Sequence, residues 1–303
     1  MRAILRRMPF FSAGHAAAFI PFLAVLGAVT ALGLGTSWAK QLFPVIGAQG
    51  TTALRVGFSA LLLLAIWRPW RRTLLPGDWR SVLLYGSTLG LMNLSFYMAL
   101  RTIPFGLAVA IEFAGPLTVA VLSSRRALDF VWVALAAAGL SLLLPLGLGD
   151  SRLDPVGVMW ALAAAALWGL YIVFGKRLSH LHAGHSVALG LSVAALVVVP
   201  VGVAHAGAAL LSPGVLLVGV CVAAISSAIP ISLEMVALKR LPKEAFGILI
   251  SMEPAVAALL ALVLLGEQLS FTQWLAIALV MGASVGCAAS ARRRPSAAAG
   301  VGV

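Results

Sequence analysis

Ten apolar segments, each about as long as a membrane-crossing helix, follow one another along this chain. A helix of roughly 17–25 residues crosses the ~30 Å hydrocarbon core of a bilayer. Only 10% of the 303 residues are charged and 62% are hydrophobic, which leaves too little polar surface to cover a water-soluble domain. The sequence therefore predicts an all-α polytopic membrane protein and excludes a soluble enzyme. The ten segments lie at residues 18–38, 47–66, 82–99, 104–122, 130–147, 155–175, 186–204, 214–237, 245–265 and 271–290.

The basic residues indicate how these segments are oriented. If the helices alternate in direction from a cytoplasmic N-terminus, 17 of the 21 basic residues fall on the cytoplasmic side. Lys40, Arg101 and Arg152 fall on the other side, and Arg55 lies within a segment. Such a bias is typical of cytoplasmic loops. We therefore expect two cytoplasmic tails, residues 1–17 and 291–303, and we interpret the net charge of +12 as topology, with no nucleic-acid partner.

The two halves of the chain resemble each other. A shift of 138 residues aligns residues 100–104 with residues 238–242, and it aligns Pro116 with Pro254. This similarity predicts two five-helix repeats, residues 18–147 and residues 155–290. Because five is odd, the repeats must cross the membrane in opposite directions. Inverted repeats of this kind build secondary transporters, whose substrate site lies at the midplane between the repeats.

Four charged residues lie inside the predicted spans, where each costs about 2.5–3.5 kcal/mol at a helix centre. Together they cost on the order of 10 kcal/mol unless they face the bundle interior, a partner or water. Asn93 is a further polar residue in the middle of span three. These five are our main candidates for a substrate or proton site: Arg55, Asn93, Glu112, Glu234 and Glu253.

Glu112 lies deep in span four, on a face formed by Ala108, Gly115 and Pro116. Small residues let another helix or a ligand approach closely. Pro116 has no N–H to donate to the carbonyl of Glu112, so we expect a kinked helix with a free acceptor. This arrangement suits an amine or a proton, but a simple ion pair between Glu112 and Arg55 is an open alternative.

The remaining candidates each have a structural alternative. Glu253 lies in span nine, the counterpart of span four, and is a second candidate for proton coupling. Glu234 lies near the cytoplasmic end of span eight, where an interfacial pair with Lys239 is an alternative. Asn93 could bridge helices or contact substrate. Trp168 could line a cavity or pack in the core.

No cofactor or metal site is expected. Cys221 and Cys287 lie in apolar runs without metal-ligand spacing, so we interpret both as packing residues. The glycines near Lys176 lack the spacing of a phosphate-binding loop. Because the sequence shows no ATP-binding motif, uphill transport must use an ion gradient. The sequence gives no role to a loop with three histidines, His180, His182 and His185.

Two pairs of glycines have the spacing that allows close helix contact, Gly86 with Gly90 and Gly282 with Gly286. This spacing is compatible with a homodimer but does not establish one.

Four sequence runs resemble the drug/metabolite transporter superfamily, EamA type, and within it the threonine/homoserine exporters. They are AVAIEFAGP (residues 108–116), SSRRALDFVW (residues 123–132), SLEMVALKRLP (residues 232–242) and GILISMEP (residues 247–254). The resemblance implies a bacterial inner-membrane exporter of small amino acids, driven by proton exchange. It also implies that Glu112, Glu234 and Glu253 are the intramembrane acids, with Arg55 and Asn93 beside them.

The sequence thus predicts a secondary transporter of small zwitterionic amino acids, in which Arg55 binds the carboxylate and Glu112 or Glu253 binds the amine or a proton. The alternatives are an exporter of another metabolite or drug, and a passive facilitator. A membrane enzyme is disfavoured because no nucleophile–base pair or metal-ligand set occurs among the spans.

Overall fold

The computed structural model describes residues 13–71, 77–122, 127–143, 153–238, 246 and 249–292. The regular structure in these ranges is helical throughout. A π-helical turn, Ala224–Ala228, joins the helices Pro213–Ala223 and Ile229–Leu238. The helices are α1 (Ala13–Lys40), α2 (Phe43–Trp67), α3 (Asp78–Ala99), α4 (Phe105–Glu112), α5 (Ala114–Leu122), α6 (Ala127–Leu143), α7 (Pro155–Arg177), α8 (Ala183–Ala206), α9 (Pro213–Ala223), α10 (Ile229–Leu238), α11 (Glu253–Leu265) and α12 (Phe271–Arg292).

In the part of the chain that the structure describes, six helical segments are long and apolar enough to cross a membrane: Ile20–Lys40, Phe43–Arg71, Asp78–Ala99, Pro155–Arg177, Ala183–Leu211 and Pro213–Glu234. Four shorter apolar helices coincide with the other predicted spans, at Phe105–Val119, Phe130–Leu142, Glu253–Leu265 and Phe271–Cys287. The predicted all-α, membrane-spanning class is confirmed. The number of ten crossings and the inverted repeat stay predictions.

Polar caps and glycines define several helix ends. The Asp154 side chain accepts hydrogen bonds from the first N–H groups of α7, at Val156 and Gly157. Such caps satisfy donors that have no partner within the helix. Gly266 ends α11 in a left-handed conformation, with φ +67°. Non-glycine residues seldom adopt this conformation, so the sharp turn that carries Glu267 depends on glycine.

Two ends of the bundle can be distinguished by their contacts. At one end, Lys40 at the C-terminus of α1 pairs with Glu267, which also accepts a hydrogen bond from the Phe105 N–H at the start of α4. At the other end, the Trp67 ring lies 5.1 Å from the His182 ring just before α8. We call these the Lys40 end and the Trp67 end. Helices α2, α3, α7 and α8 each run from one end to the other.

Close packing brings the two halves of the chain together. Helix α2 packs along α8, α3 along α7, and α6 along α12. Helix α4 packs on α11 and is buried over its whole length, from Phe105 to Glu112. A Cβ atom at Gly115 would lie 2.0 Å from the carbonyl oxygen of Ala165, so α5 and α7 touch backbone to backbone. The predicted small-residue face therefore contacts another helix.

The paired glycines are also used inside the chain. Gly86 and Gly90 face Val193 and Ala194 of α8, and Gly286 faces the ring of Trp132. These contacts give the spacing a structural role within one molecule. A homodimer stays a prediction.

Candidate functional site

Arg55 lies near the middle of α2 and is held by three neutral oxygen atoms. Its Nε donates to Ser226 Oγ at 2.9 Å, and Nη2 makes a longer contact, 3.5 Å, to the Ser226 carbonyl oxygen. Its Nη1 donates to Oδ1 of Asn93. A guanidinium group has five N–H donors, so two remain available. The ring of Tyr97 lies below the guanidinium carbon, 5.4 Å from it.

Arg55 has no acidic partner in the part of the chain that the structure describes. The contacts between basic and acidic side chains found there are the Lys40 ammonium with Glu267 and the His180 imidazole with Asp78. Arg55 and Glu112 interact electrostatically but are not in ion-pair contact here. The positive charge of Arg55 is left without an opposite charge in contact.

Asn93 connects α3 to α2 through its contact with Arg55. Its Nδ2 donates to the carbonyl oxygen of Leu89 at 2.9 Å, which fixes the amide so that Oδ1 faces Arg55. Asn93 can therefore bridge two helices and also form part of the site.

The π-helical turn presents two serines that the sequence reasoning missed. Ser226 Oγ donates to the Val222 carbonyl at 2.7 Å and accepts from Arg55, so its orientation is fixed. Ser227 Oγ accepts from Ser59 Oγ at 2.8 Å. A Cβ atom at Gly35 would lie 2.6 Å from the Cβ of Ser226, so the glycine allows α1 to pack against this turn. The sequence signal that could have revealed these serines is the presence of two adjacent hydroxyl residues in a strongly apolar span.

A first cavity of about 130 Å³ extends from Arg55 toward the Lys40 end. It brings together five of the six predicted site residues, Arg55, Asn93, Glu112, Trp168 and Glu253. Thr36, Phe96 and Phe105 also line it. Trp168 lines the cavity and packs edge-on against Phe113, with ring centroids 5.1 Å apart, so both interpretations of Trp168 apply.

Glu112 and Glu253 enter this cavity from opposite halves of the chain. Glu112 is the last residue of α4, and the helix is interrupted at Phe113, three residues before Pro116, in agreement with the expected kink. Glu253 is the first residue of α11. Glu112 interacts electrostatically with both Glu253 and Arg55. Within the described ranges, neither carboxyl makes a hydrogen bond or an ion pair.

A second cavity, of about 310 Å³, lies on the other side of Arg55 and Asn93. Glu234, Tyr171, Ser227 and Ala183 line it, and Ala183 marks it as the cavity nearer the Trp67 end. Glu234 therefore faces the bundle interior. The alternative pair with Lys239 lies outside the described residues.

The loop that carries His180 and His182 makes contacts at the Trp67 end, away from Glu112 and Glu253 of the first cavity. His180 Nε2 lies 3.0 Å from Oδ1 of Asp78. His182 Nδ1 accepts from the Gly184 N–H at 3.2 Å and so caps α8. Among the described side chains, no group of three or more His, Cys, Asp or Glu is placed to hold a metal ion. Cys221 and Cys287 are half-buried and are not joined by a disulfide.

Apolar helices that surround charged groups at the meeting point of two cavities are typical of a membrane transporter.

Comparisons with known proteins agree with this class. The model of the EamA-like transporter family matches residues 155–288. The chain is 46% identical over 277 residues to the threonine/homoserine exporter RhtA of Salmonella typhimurium, covering 91% of this chain and 94% of the relative. It is 45% identical over 293 residues to RhtA of Escherichia coli, with 97% of both chains covered. The chain belongs to the EamA-like transporter family.

The fold also matches a solved crystal structure with a TM-score of 0.57, at 20% identity, over 92% of this chain and 99% of that chain. At this identity the likeness concerns the fold alone.

Proposed function

We propose that this transporter exports small zwitterionic amino acids of the threonine and homoserine type from the bacterial cytoplasm across the inner membrane, in exchange for protons. The names of the RhtA relatives give the substrate class. The site gives a physical reason for it. A zwitterion needs one positive and one negative partner, and the first cavity offers both.

The observation that carries this proposal is that Arg55 contacts no negatively charged group among the described residues. A charged group inside a bilayer is costly unless it is paired, yet its described contacts are all to neutral groups. Two N–H donors and the uncompensated charge are suited to a carboxylate, which binds guanidinium groups strongly and with defined geometry. A substrate carboxylate would supply the missing negative charge.

The acids suit the amine and the proton. Glu112 interacts electrostatically with Glu253, and Glu253 interacts with Glu234 in the second cavity. Carboxyl groups therefore follow one another from the first cavity toward the Trp67 end. Acidic residues within membrane spans are typical of proton relays in transporters.

The size of the first cavity favours an amino acid there over the alternative of a drug. It measures about 130 Å³, below the roughly 300–1,000 Å³ of pockets that bind drug-sized ligands, whereas the second cavity, about 310 Å³, reaches the lower end of that range. The other alternative, a passive facilitator, differs in its energetics, since its transport would not respond to a pH gradient.

The packing of the helices supports two inverted repeats. In the proposed repeat, α2 corresponds to α8, α6 to α12, and α4 to α11, and the two helices of each pair are in contact. Likewise α3 corresponds to α10 and α7 to α1, so the contact of α3 with α7 has its counterpart in the contact of α10 with α1. The family model matches one half alone, residues 155–288. With five crossings per half, both tails lie on the cytoplasmic side, and the Lys40 end faces outward.

Counterflow of labelled threonine, homoserine and an aromatic amino acid in proteoliposomes tests the proposal. We expect exchange of the first two, little exchange of the third, and acceleration by an imposed pH gradient. The double variant Glu112→Gln with Glu253→Gln should lose the response to the gradient, whereas Asp154→Asn, an amide substitution outside the cavities, should keep it. Unchanged gradient-driven threonine transport in the double variant would rule out proton coupling through these two acids.

A further inference from the structure

The second cavity extends from the Trp67 end of the bundle to its centre. Ala183, Val187 and Leu191 line it along one face of α8, from the first residue of the helix to about 12 Å along its axis. Ala183 is exposed, whereas the residues that line the first cavity are buried or half-buried. The second cavity therefore reaches the surface at the end where α8 begins.

Charged groups of opposite sign line this cavity. Arg55 lies where the second cavity meets the first, since it lines both. Glu234 follows Ser226, which holds Arg55, by eight residues, or roughly 12 Å of helix toward the Trp67 end. Side chains of a helix lean toward its N-terminus, so the Glu234 carboxyl is directed back toward Arg55. The two groups thus flank one space without contacting each other.

Glu234 has an unused carboxyl group in this space. Among the described residues it forms no ion pair and accepts no hydrogen bond. A carboxyl inside a bilayer is costly unless it faces water, a partner or a ligand. Two hydroxyl oxygens line the same cavity, since Tyr171 accepts from Tyr85 at 2.9 Å and Ser227 accepts from Ser59 at 2.8 Å. A carboxylate with neutral oxygens beside it suits an ammonium group, which donates three hydrogen bonds.

We infer that the second cavity is a separate binding position for the transported amino acid, in which Arg55 binds the carboxylate and Glu234 binds the amine. The inference rests on the proposed function, because it takes the substrate to be a zwitterion with its carboxylate at Arg55. Since Arg55 and Asn93 line both cavities, the carboxylate can stay at one guanidinium while the amine exchanges Glu234 for an acid of the first cavity. Glu234 and Glu253 interact electrostatically, so an ammonium group that leaves one is attracted by the other.

Half-saturating threonine concentrations, measured separately at the two faces of the membrane, test this position. Inside-out vesicles containing the full chain present the cytoplasmic face, where the proposed topology places the Trp67 end, and right-side-out vesicles present the outer face. We expect Glu234→Gln to raise the half-saturating concentration at the cytoplasmic face about tenfold or more, the loss that one charge-assisted hydrogen bond explains. The value at the outer face should hardly change. Asp154→Asn, the same substitution outside both cavities, should match the wild type at both faces.

A competitor without an amine identifies the group that Glu234 binds. β-Hydroxybutyrate has the carbon skeleton, carboxylate and hydroxyl of threonine but lacks the amine. At the cytoplasmic face, Glu234→Gln should weaken competition by unlabelled threonine about tenfold and leave competition by β-hydroxybutyrate unchanged. Glu234→Asp keeps the negative charge, so it should retain more of the competition by threonine than Glu234→Gln does.

Cysteine protection provides a measurement in which Glu234 is left in place. With Cys221 and Cys287 replaced by alanine, Val187→Cys places a thiol on the wall of the second cavity. A membrane-impermeant maleimide added from the cytoplasmic face should label it. Saturating threonine should slow this labelling, and β-hydroxybutyrate at the same concentration should slow it less.

The outcomes separate this inference from the proposed function. If wild-type vesicles transport threonine from neither face, the proposed function fails. If Glu234→Gln changes both faces equally or neither, or slows only transport driven by a pH gradient, the separate position is wrong while amino-acid export stands. Labelling of Val187→Cys that threonine does not slow would lead to the same conclusion, even if Glu234→Gln failed to reach the membrane.

Discussion

At the scale of single residues, the central feature is an arginine whose described contacts all carry no charge. A bidentate carboxylate needs the planar guanidinium, which lysine cannot replace. We therefore expect Arg55→Lys to lower threonine counterflow at least tenfold, since the charge-assisted hydrogen bonds at stake are worth about 1.5–3 kcal/mol. Arg177→Lys, which changes an arginine over the Phe174 ring and away from both acids, is the matched control. Equal activity of the two variants would argue against carboxylate binding at Arg55.

Asn93 permits a sharper test because aspartate has nearly its shape. Asn93→Asp would place a carboxylate against Arg55, where the amide oxygen now accepts its hydrogen bond. The new internal ion pair would compete with the substrate, so we expect the half-saturating threonine concentration to rise at least tenfold, by the energy of about 1.5–3 kcal/mol that such bonds contribute. Retained folding, checked by size-exclusion chromatography, together with unchanged affinity would contradict this role of Arg55.

At the scale of helices, Gly115 sets the distance between α5 and α7. A Cβ atom there would lie 2.0 Å from the Ala165 carbonyl oxygen, a backbone atom that cannot turn aside. Gly115→Ala should therefore destabilise the protein by about 1–3 kcal/mol, the usual cost of overpacking. Gly214→Ala is the control, since a Cβ atom at Gly214 meets nothing within 4 Å. Thermal unfolding of the two variants in one detergent compares them, and equal midpoints would mean that the contact relaxes freely.

The N-terminal cap of α7 predicts a dependence of stability on pH. A hydrogen bond from the Thr102 hydroxyl, with further bonds from the Val156 and Gly157 N–H groups, holds the pKa of Asp154 below its usual value. A carboxyl with a lowered pKa stabilises the fold above its unfolded pKa, about 3.9, and loses this effect as the pH falls through the folded value. Asp154→Asn keeps a cap, so it should unfold like the wild type at pH 7 and show a smaller loss below about pH 4. Identical acid profiles would contradict this role.

Sequence reasoning located most helices because the apolar length of a span is a strong and local signal. It also located the break in span four, since Pro116 removes a helical hydrogen bond. It could not find the π-helical turn at Ala224–Ala228, whose composition fits an ordinary apolar helix.

At the scale of the whole molecule, Glu267 joins the two halves at the Lys40 end. One carboxylate oxygen pairs with Lys40, and the other accepts from the Phe105 N–H at 2.7 Å. The carboxylate thus also caps α4, where the positive end of the helix favours a negative charge. Phe105 lines the first cavity, so we propose that these contacts close the cavity toward this end and break when substrate is released there.

Accessibility labelling tests this closure. Val109 lines the first cavity and is buried, and the chain contains two cysteines, which can be replaced by alanine. In that background, Val109→Cys should react slowly with a membrane-impermeant maleimide added from outside. Both Lys40→Gln and Glu267→Gln should speed the reaction about fivefold or more, since a charge-assisted contact of this kind is worth roughly 1–3 kcal/mol. Combining them should add little, because either change removes the same ion pair. Rates equal to that of the parent in both single variants would show that this end opens without regard to the pair, and closure would then rest on the packing of α4 against α11 alone.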